Sequence, residues 1–156
     1  MQEYGRILLP VPNKLAVIIL NWRIINMDFK DQPFIPMLFG GDINTYSVAR
    51  AFYEEYQVKP YVFGKFPSGP SYNSNIIEYH ANLKIDTDEV FMQTVRDFAA
   101  AHADKTVLTI GCGDSYVALC SRHKDEMPEN VIAPYIDFEL MDRLQQKELF
   151  YRLCRE

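Results

Sequence analysis

The sequence predicts an α/β domain built on a short parallel sheet, and three observations carry that prediction. An apolar run at residues 34–39 (FIPMLF) meets Gly40-Gly41-Asp42 and then an amphipathic segment that begins at Asn44. A second apolar run, VLTIG, meets Cys112-Gly113-Asp114 and another helical pattern. Between and after these units, short apolar runs alternate with helical stretches, the rhythm of a doubly wound sheet with right-handed connections. Each Gly-Asp turn would bring backbone N–H groups and a helix N-terminus to the carboxyl edge of the sheet, where ligands of such folds bind.

Taken in order, the chain opens with 26 residues that stand apart from this rhythm. Residues 15–25 (LAVIILNWRII) are strongly apolar, yet Asn21 and Arg23 interrupt them. The run also falls short of the roughly 18 to 20 residues that span a bilayer. Pro10 and Pro12 precede it and no small-x-small site follows, so a signal peptide fits poorly. Residues 1–33 read as a peripheral extension, with Met27 as a candidate native start. The domain proper is expected over residues 34–156.

After the first strand, Val48, Ala49, Phe52 and Tyr56 recur at helical spacing and predict a core-facing stripe. Arg50, Glu54 and Glu55 fall on the wet face, and the helix is expected to end near Gln57. Residues 60–64 (PYVFG) read as a short strand, and residues 65–74 (KFPSGPSYNS) as a loop rich in Gly, Pro and Ser. Residues 76–83 alternate loosely and predict another short strand. Thr87-Asp88-Glu89 then starts a helix, with acids that suit its N-terminal dipole, running to about His102. The remaining elements are a strand at 107–110, a helix at 114–123, a strand at 131–134 and helices at 138–144 and 147–155.

Bulk composition narrows the partners. A chain of 156 residues with 48% hydrophobic content suits one domain and can fill its core. A net charge of −5 argues against a nucleic-acid or anionic-membrane surface. Three cysteines, Cys112, Cys120 and Cys154, lack CxxC spacing and read as reduced thiols of a cytoplasmic protein. His80, His102 and His123 show no pairing with them, so no metal site is expected.

The candidate chemistry sits in the two turns. GGDIN is not GxGxxG, because no glycine stands where a dinucleotide fingerprint needs its third. A tight strand-to-helix turn with Asp42 or Asn44 as N-cap explains it structurally. The same geometry lets a ligand approach the backbone at Gly40 and Gly41. The candidate substrate-binding set is therefore Gly40, Gly41, Asp42, Asn44, Gly111, Gly113 and Asp114. IGCGDSY resembles the first motif of S-adenosylmethionine-dependent methyltransferases, but Thr109 stands where that family carries an acid, and more than a hundred residues precede the motif. Asp42 and Asp114 could form a carboxylate pair, although capping accounts for both. Cys112 at a helix start could have a lowered thiol pKa, without a histidine partner in sequence.

Three segments, FIPMLFGGDINTYSVARAFYEEY, LTIGCGDSYVALCSRHKDEM and IAPYIDFELMDRLQQKELFYRLC, together resemble the N-terminal domain of ATP-grasp carboxylate–amine ligases of the D-aspartate ligase group. The last segment carries the exit helix of that family, here Met141-Asp142-Arg143-Leu144-Gln145-Gln146-Lys147. The resemblance implies a Rossmann-like, three-layer pre-ATP-grasp domain with a short parallel sheet. It implies a ligase that activates a carboxylate with ATP as an acylphosphate, with Mg²⁺ neutralising the phosphates, for attack by an amine. In that group D-aspartate is joined to a lysine of the peptidoglycan precursor. Arg143 takes the place of a basic residue that reaches ATP phosphate, and Lys147 that of a second; arginine there keeps the charge but alters the donor geometry.

The linker and two-lobed ATP-grasp module of the family would follow Glu156, so the chain is expected to be the front piece of a ligase, inactive alone and binding no cofactor itself. Leu149, Phe150 and Leu153 would then expose apolar surface and favour self-association. A stand-alone small-molecule binding module remains the alternative reading.

Overall fold

The computed structural model describes residues 29–155. The apolar run at 15–25 and the candidate start at Met27 lie outside them. Five strands form one sheet: β1 (Phe34–Phe39), β2 (Tyr61–Gly64), β3 (Glu78–Ala81), β4 (Thr106–Gly111) and β5 (Val131–Ile132). All neighbouring pairs are parallel and the spatial order is β3-β2-β1-β4-β5. The chain therefore runs outward from β1 to one edge, crosses over, and continues outward on the other side. That reversal falls between β1 and β4, which pair from Phe34↔Thr106 to Phe39↔Gly111.

The connections are α1 (Ile43–Tyr56), α2 (Gly69–Tyr72), α3 (Asp88–Ala101) and α4 (Asp114–Arg122). A 3₁₀ turn (Lys124–Glu126) precedes β5, and α5 (Phe138–Gln145) and α6 (Lys147–Leu153) follow it. Side chains alternate across a strand, so β1 feeds two cores. Ile35, Met37 and Phe39 pack with Phe91, Val95 and Phe98 of α3 and with Leu119 and Cys120 of α4. Leu38 and Val62 pack on the other face with Ala49 of α1. Helices thus cover both faces of the sheet, the three-layer α/β arrangement of a Rossmann-like domain.

The elements follow the sequence pattern closely, with instructive departures. In α1 the buried positions are Thr45 and Ala49, while Val48 and Phe52 are half-buried and Tyr56 is exposed. Tyr56 instead meets Phe34 edge-on at 5.2 Å, because the helix ends there, with Gln57 in the left-handed region at φ 56°. The stretch 65–74, read as loop, contains the one-turn α2, started by Gly69 at φ 84° and by Pro70. Among the described residues, no helix is long and apolar enough to cross a membrane.

Candidate functional site

Because β1 and β4 are neighbours, their following turns lie side by side at the carboxyl edge of the sheet, at its topological switch point. Asp42 begins α1 as its N-cap: Oδ1 accepts from the backbone N–H groups of Asn44 and Thr45 and from Thr45 Oγ1, each at 3.1 Å. Asn44 Nδ2 donates to Oδ2 at 3.3 Å. Of the two capping candidates, then, Asp42 caps and Asn44 supports it. Gly40 sits at φ 142°, where a Cβ would come within 2.2 Å of Thr45 Oγ1, so the turn accepts only glycine.

The β4 turn is built differently. Gly113, not Asp114, is the N-cap of α4, and no side chain caps that helix, so Asp114 is its first residue rather than its cap. A Cβ on Gly111 would meet the Tyr116 backbone at 2.6 Å, which explains that glycine by close helix–strand approach. Gly113 faces open space. The Tyr135 hydroxyl accepts from the Gly111 N–H at 2.7 Å and holds the segment after β5 against this turn.

A cleft of about 300 Å³ opens at this edge, lined by Gly41, Asp42, Lys65, Phe66, Ser68, Gly69, Tyr79 and Tyr116. The loop after β2 forms its second wall and is fastened to the first. Ser71 Oγ donates to the Asp42 carbonyl at 3.2 Å, and the Tyr79 hydroxyl donates to the Phe66 carbonyl at 2.8 Å. Gly64 leaves room for that hydroxyl, since a Cβ there would lie 1.9 Å from it. Lys65 Nζ pairs with Asp86 Oδ2 at 2.6 Å, and its hydrogen bond holds the Asp86 carboxyl below its ordinary range. Burial pushes the Tyr116 phenol up to about 12, helped by the Asp86 and Tyr79 groups nearby, so both tyrosines present neutral hydroxyls.

Of the predicted residues, Gly41 and Asp42 line the cleft. Gly40, Asn44, Gly111, Gly113 and Asp114 belong to the two turns that flank it. Arg143 lies in the last turn of α5 and Lys147 at the start of α6, outside the cleft lining. Lys65, Ser68 and Tyr79 are not marked as ligand-contacting residues by the sequence, whereas Tyr116, near the start of the second helix as Tyr46 is of the first, is open in sequence to either a core or a crevice-lining reading and lines the cleft. The signal for Lys65 and Ser68 was their place in a Gly/Pro/Ser-rich loop after the second strand, a region that flanks the crevice of such sheets.

Cys112 does not fit an activated nucleophile. Burial pushes its thiol up to about 11, and that of Cys120 up to about 12. Among the described residues no three His, Cys, Asp or Glu side chains converge on a metal position.

A parallel sheet of this order, with a ligand-sized cleft at the switch point, defines a Rossmann-like α/β domain. Comparison with known proteins makes the reading narrower. The chain is similar to D-aspartate ligase of Enterococcus faecium (strain Aus0004), with 38% identity over 130 residues. The match takes in 81% of this chain and 31% of that enzyme, so the chain corresponds to only part of the longer ligase. No protein-family model matches the chain, and no solved structure matches it either.

Proposed function

We propose that this chain is the substrate-side α/β domain of an ATP-dependent carboxylate–amine ligase that acts like D-aspartate ligase on a cytoplasmic peptidoglycan precursor. The observation that carries the reading is the similarity to D-aspartate ligase, together with a cleft at the switch point of the parallel sheet. In this reading the cleft presents an amino-acid substrate, while ATP and Mg²⁺ are held by a further module of the longer protein. Phosphoryl transfer depends on positioned phosphate-binding groups and metal ions, so the domain alone does not ligate. Arg143 and Lys147, on the helices after β5, would face that module.

The test is a titration of the chain with D-aspartate, L-aspartate and Mg²⁺-ATP, followed by backbone amide NMR. The expected result is saturable shifts at Gly41 and Asp42 with aspartate and none with nucleotide. Nucleotide binding in the cleft without aspartate binding would overturn the reading in favour of a separate nucleotide-binding module.

A further inference from the structure

The cleft lining carries opposite charges on two segments, the β1 turn and the loop after β2. On the β1 turn, Asp42 lines the cleft; its Oδ1 is filled by three donors, whereas Oδ2 receives only the longer bond from Asn44 and keeps acceptor capacity. On the loop after β2, Lys65 is the one cation among the described lining residues. Its counterion Asp86 is not among the described lining residues, although it lies close enough to Tyr116 to raise that phenol. Both side chains of that pair remain partly open to solvent, at 39% and 34%. An ion pair so placed contributes little to folding and exchanges readily. The loop that carries Lys65 is meanwhile held by Tyr79 and Ser71, so the backbone on which the two charges stand is fixed before any ligand arrives.

We propose that Lys65 is the carboxylate receptor of this cleft, exchanging Asp86 for the carboxylate of a zwitterionic ligand whose ammonium group sits on Asp42. The inference rests on the ligand-binding reading above and assigns its specificity to two residues. Exchange keeps Lys65 paired throughout, and the released Asp86 is exposed enough to stay ionised in water. A simple dicarboxylate would satisfy Lys65 but set a second negative charge toward Asp42, so the cleft selects for ammonium next to carboxylate. The hydroxyls of Ser68 and Tyr116 complete the polar lining.

Calorimetric titration with D-aspartate and with succinate, which share a four-carbon dicarboxylate skeleton and differ by the ammonium group, tests this on the wild type and two variants. D-Aspartate is expected to bind and succinate to bind more weakly by about fivefold or more. Lys65→Met should weaken D-aspartate by about tenfold, the scale of a lost charge-assisted hydrogen bond. Asp86→Asn should tighten it by about two- to fivefold, because the competing carboxylate is gone. Both variants break the same ion pair, so a merely structural role would move them in the same direction; circular dichroism confirms that each is folded. Equal weakening by both, or no effect of Lys65→Met, overturns the assignment while leaving the binding reading intact. Succinate binding as tightly as D-aspartate overturns the zwitterion specificity, and a wild type that binds neither removes the inference together with the reading beneath it.

Discussion

The hydroxyl of Tyr135 accepts a hydrogen bond from the backbone N–H of Gly111 at 2.7 Å, fastening the segment after β5 to the carboxyl end of β4. Ser121 Oγ donates to the Ile136 carbonyl at 2.7 Å, so consecutive residues of that segment are held by two different elements. The path into α5 is thereby tied to one turn of the candidate site. Tyr135→Phe would leave the Gly111 N–H without its acceptor in a largely enclosed position. The expected cost is about 1–2 kcal/mol, read as a lower urea midpoint with an unchanged denaturant slope.

The two glycines of the β4 turn should behave differently. Gly111→Ala places a methyl group 2.6 Å from backbone atoms of Tyr116 and Val117, where no flexible side-chain end can yield. A loss of about 2 kcal/mol or more is expected, since α4 must move off the sheet. Gly113→Ala meets nothing within 4 Å, and should cost only the poorer N-cap, about 1 kcal/mol or less, with a correspondingly small fall in unfolding temperature. If Gly113→Ala nonetheless weakens D-aspartate binding, its open face is where the ligand sits. Thermal denaturation of the two variants side by side checks the first part.

How much of this was legible in the sequence depends on the range of the interaction. Both strand–turn–helix units were readable because an apolar run, a glycine and a helical stripe are consecutive in the chain, and β1 and β4 proved to be neighbours. The identity of the caps was half legible: Asp42 caps α1, but at α4 the cap is Gly113, since Asp114 has already entered the helix. The loop after β2 was legible as a flank of the crevice, but the fastening of this second wall was not. It depends on Tyr79 reaching the Phe66 carbonyl, 13 residues away, and Ser71 reaching the Asp42 carbonyl, 29 residues away. No local pattern encodes such contacts. The apolar positions Leu149, Phe150 and Leu153 were expected to be exposed, whereas only Phe150 is, at 42%, with the other two half-buried.

Thiol reactivity separates the three cysteines. All are unpaired, but only Cys154 is exposed, while burial raises the thiols of Cys112 and Cys120. The thiolate is the reactive species, so iodoacetamide near neutral pH should label Cys154 well before the other two. Peptide mass spectrometry over a time course reads the order. Early labelling of Cys112 would restore the activated-thiol reading that its burial argues against.

Acid sensitivity should come from three carboxylates that hold partners across the fold. Asp88 lies below its ordinary range chiefly through the hydrogen bond from Arg122, with His123 contributing, and so ties α3 to the end of α4. Glu78 is lowered by the hydrogen bond from Lys59, and Asp86 by that from Lys65. In each case the folded-state value lies below the unfolded one. Their stabilisation is therefore fully present above the unfolded carboxylate range near about pH 4, and is lost as pH falls through the folded values. These groups are substantially solvated, so each contributes on the order of a few tenths of a kcal/mol. Urea midpoints should decline together from about pH 5 to about pH 2.5. Asp88→Asn should flatten that decline while lowering the midpoint near neutrality; an identical acid slope in the variant would show that Asp88 is not one of the groups responsible.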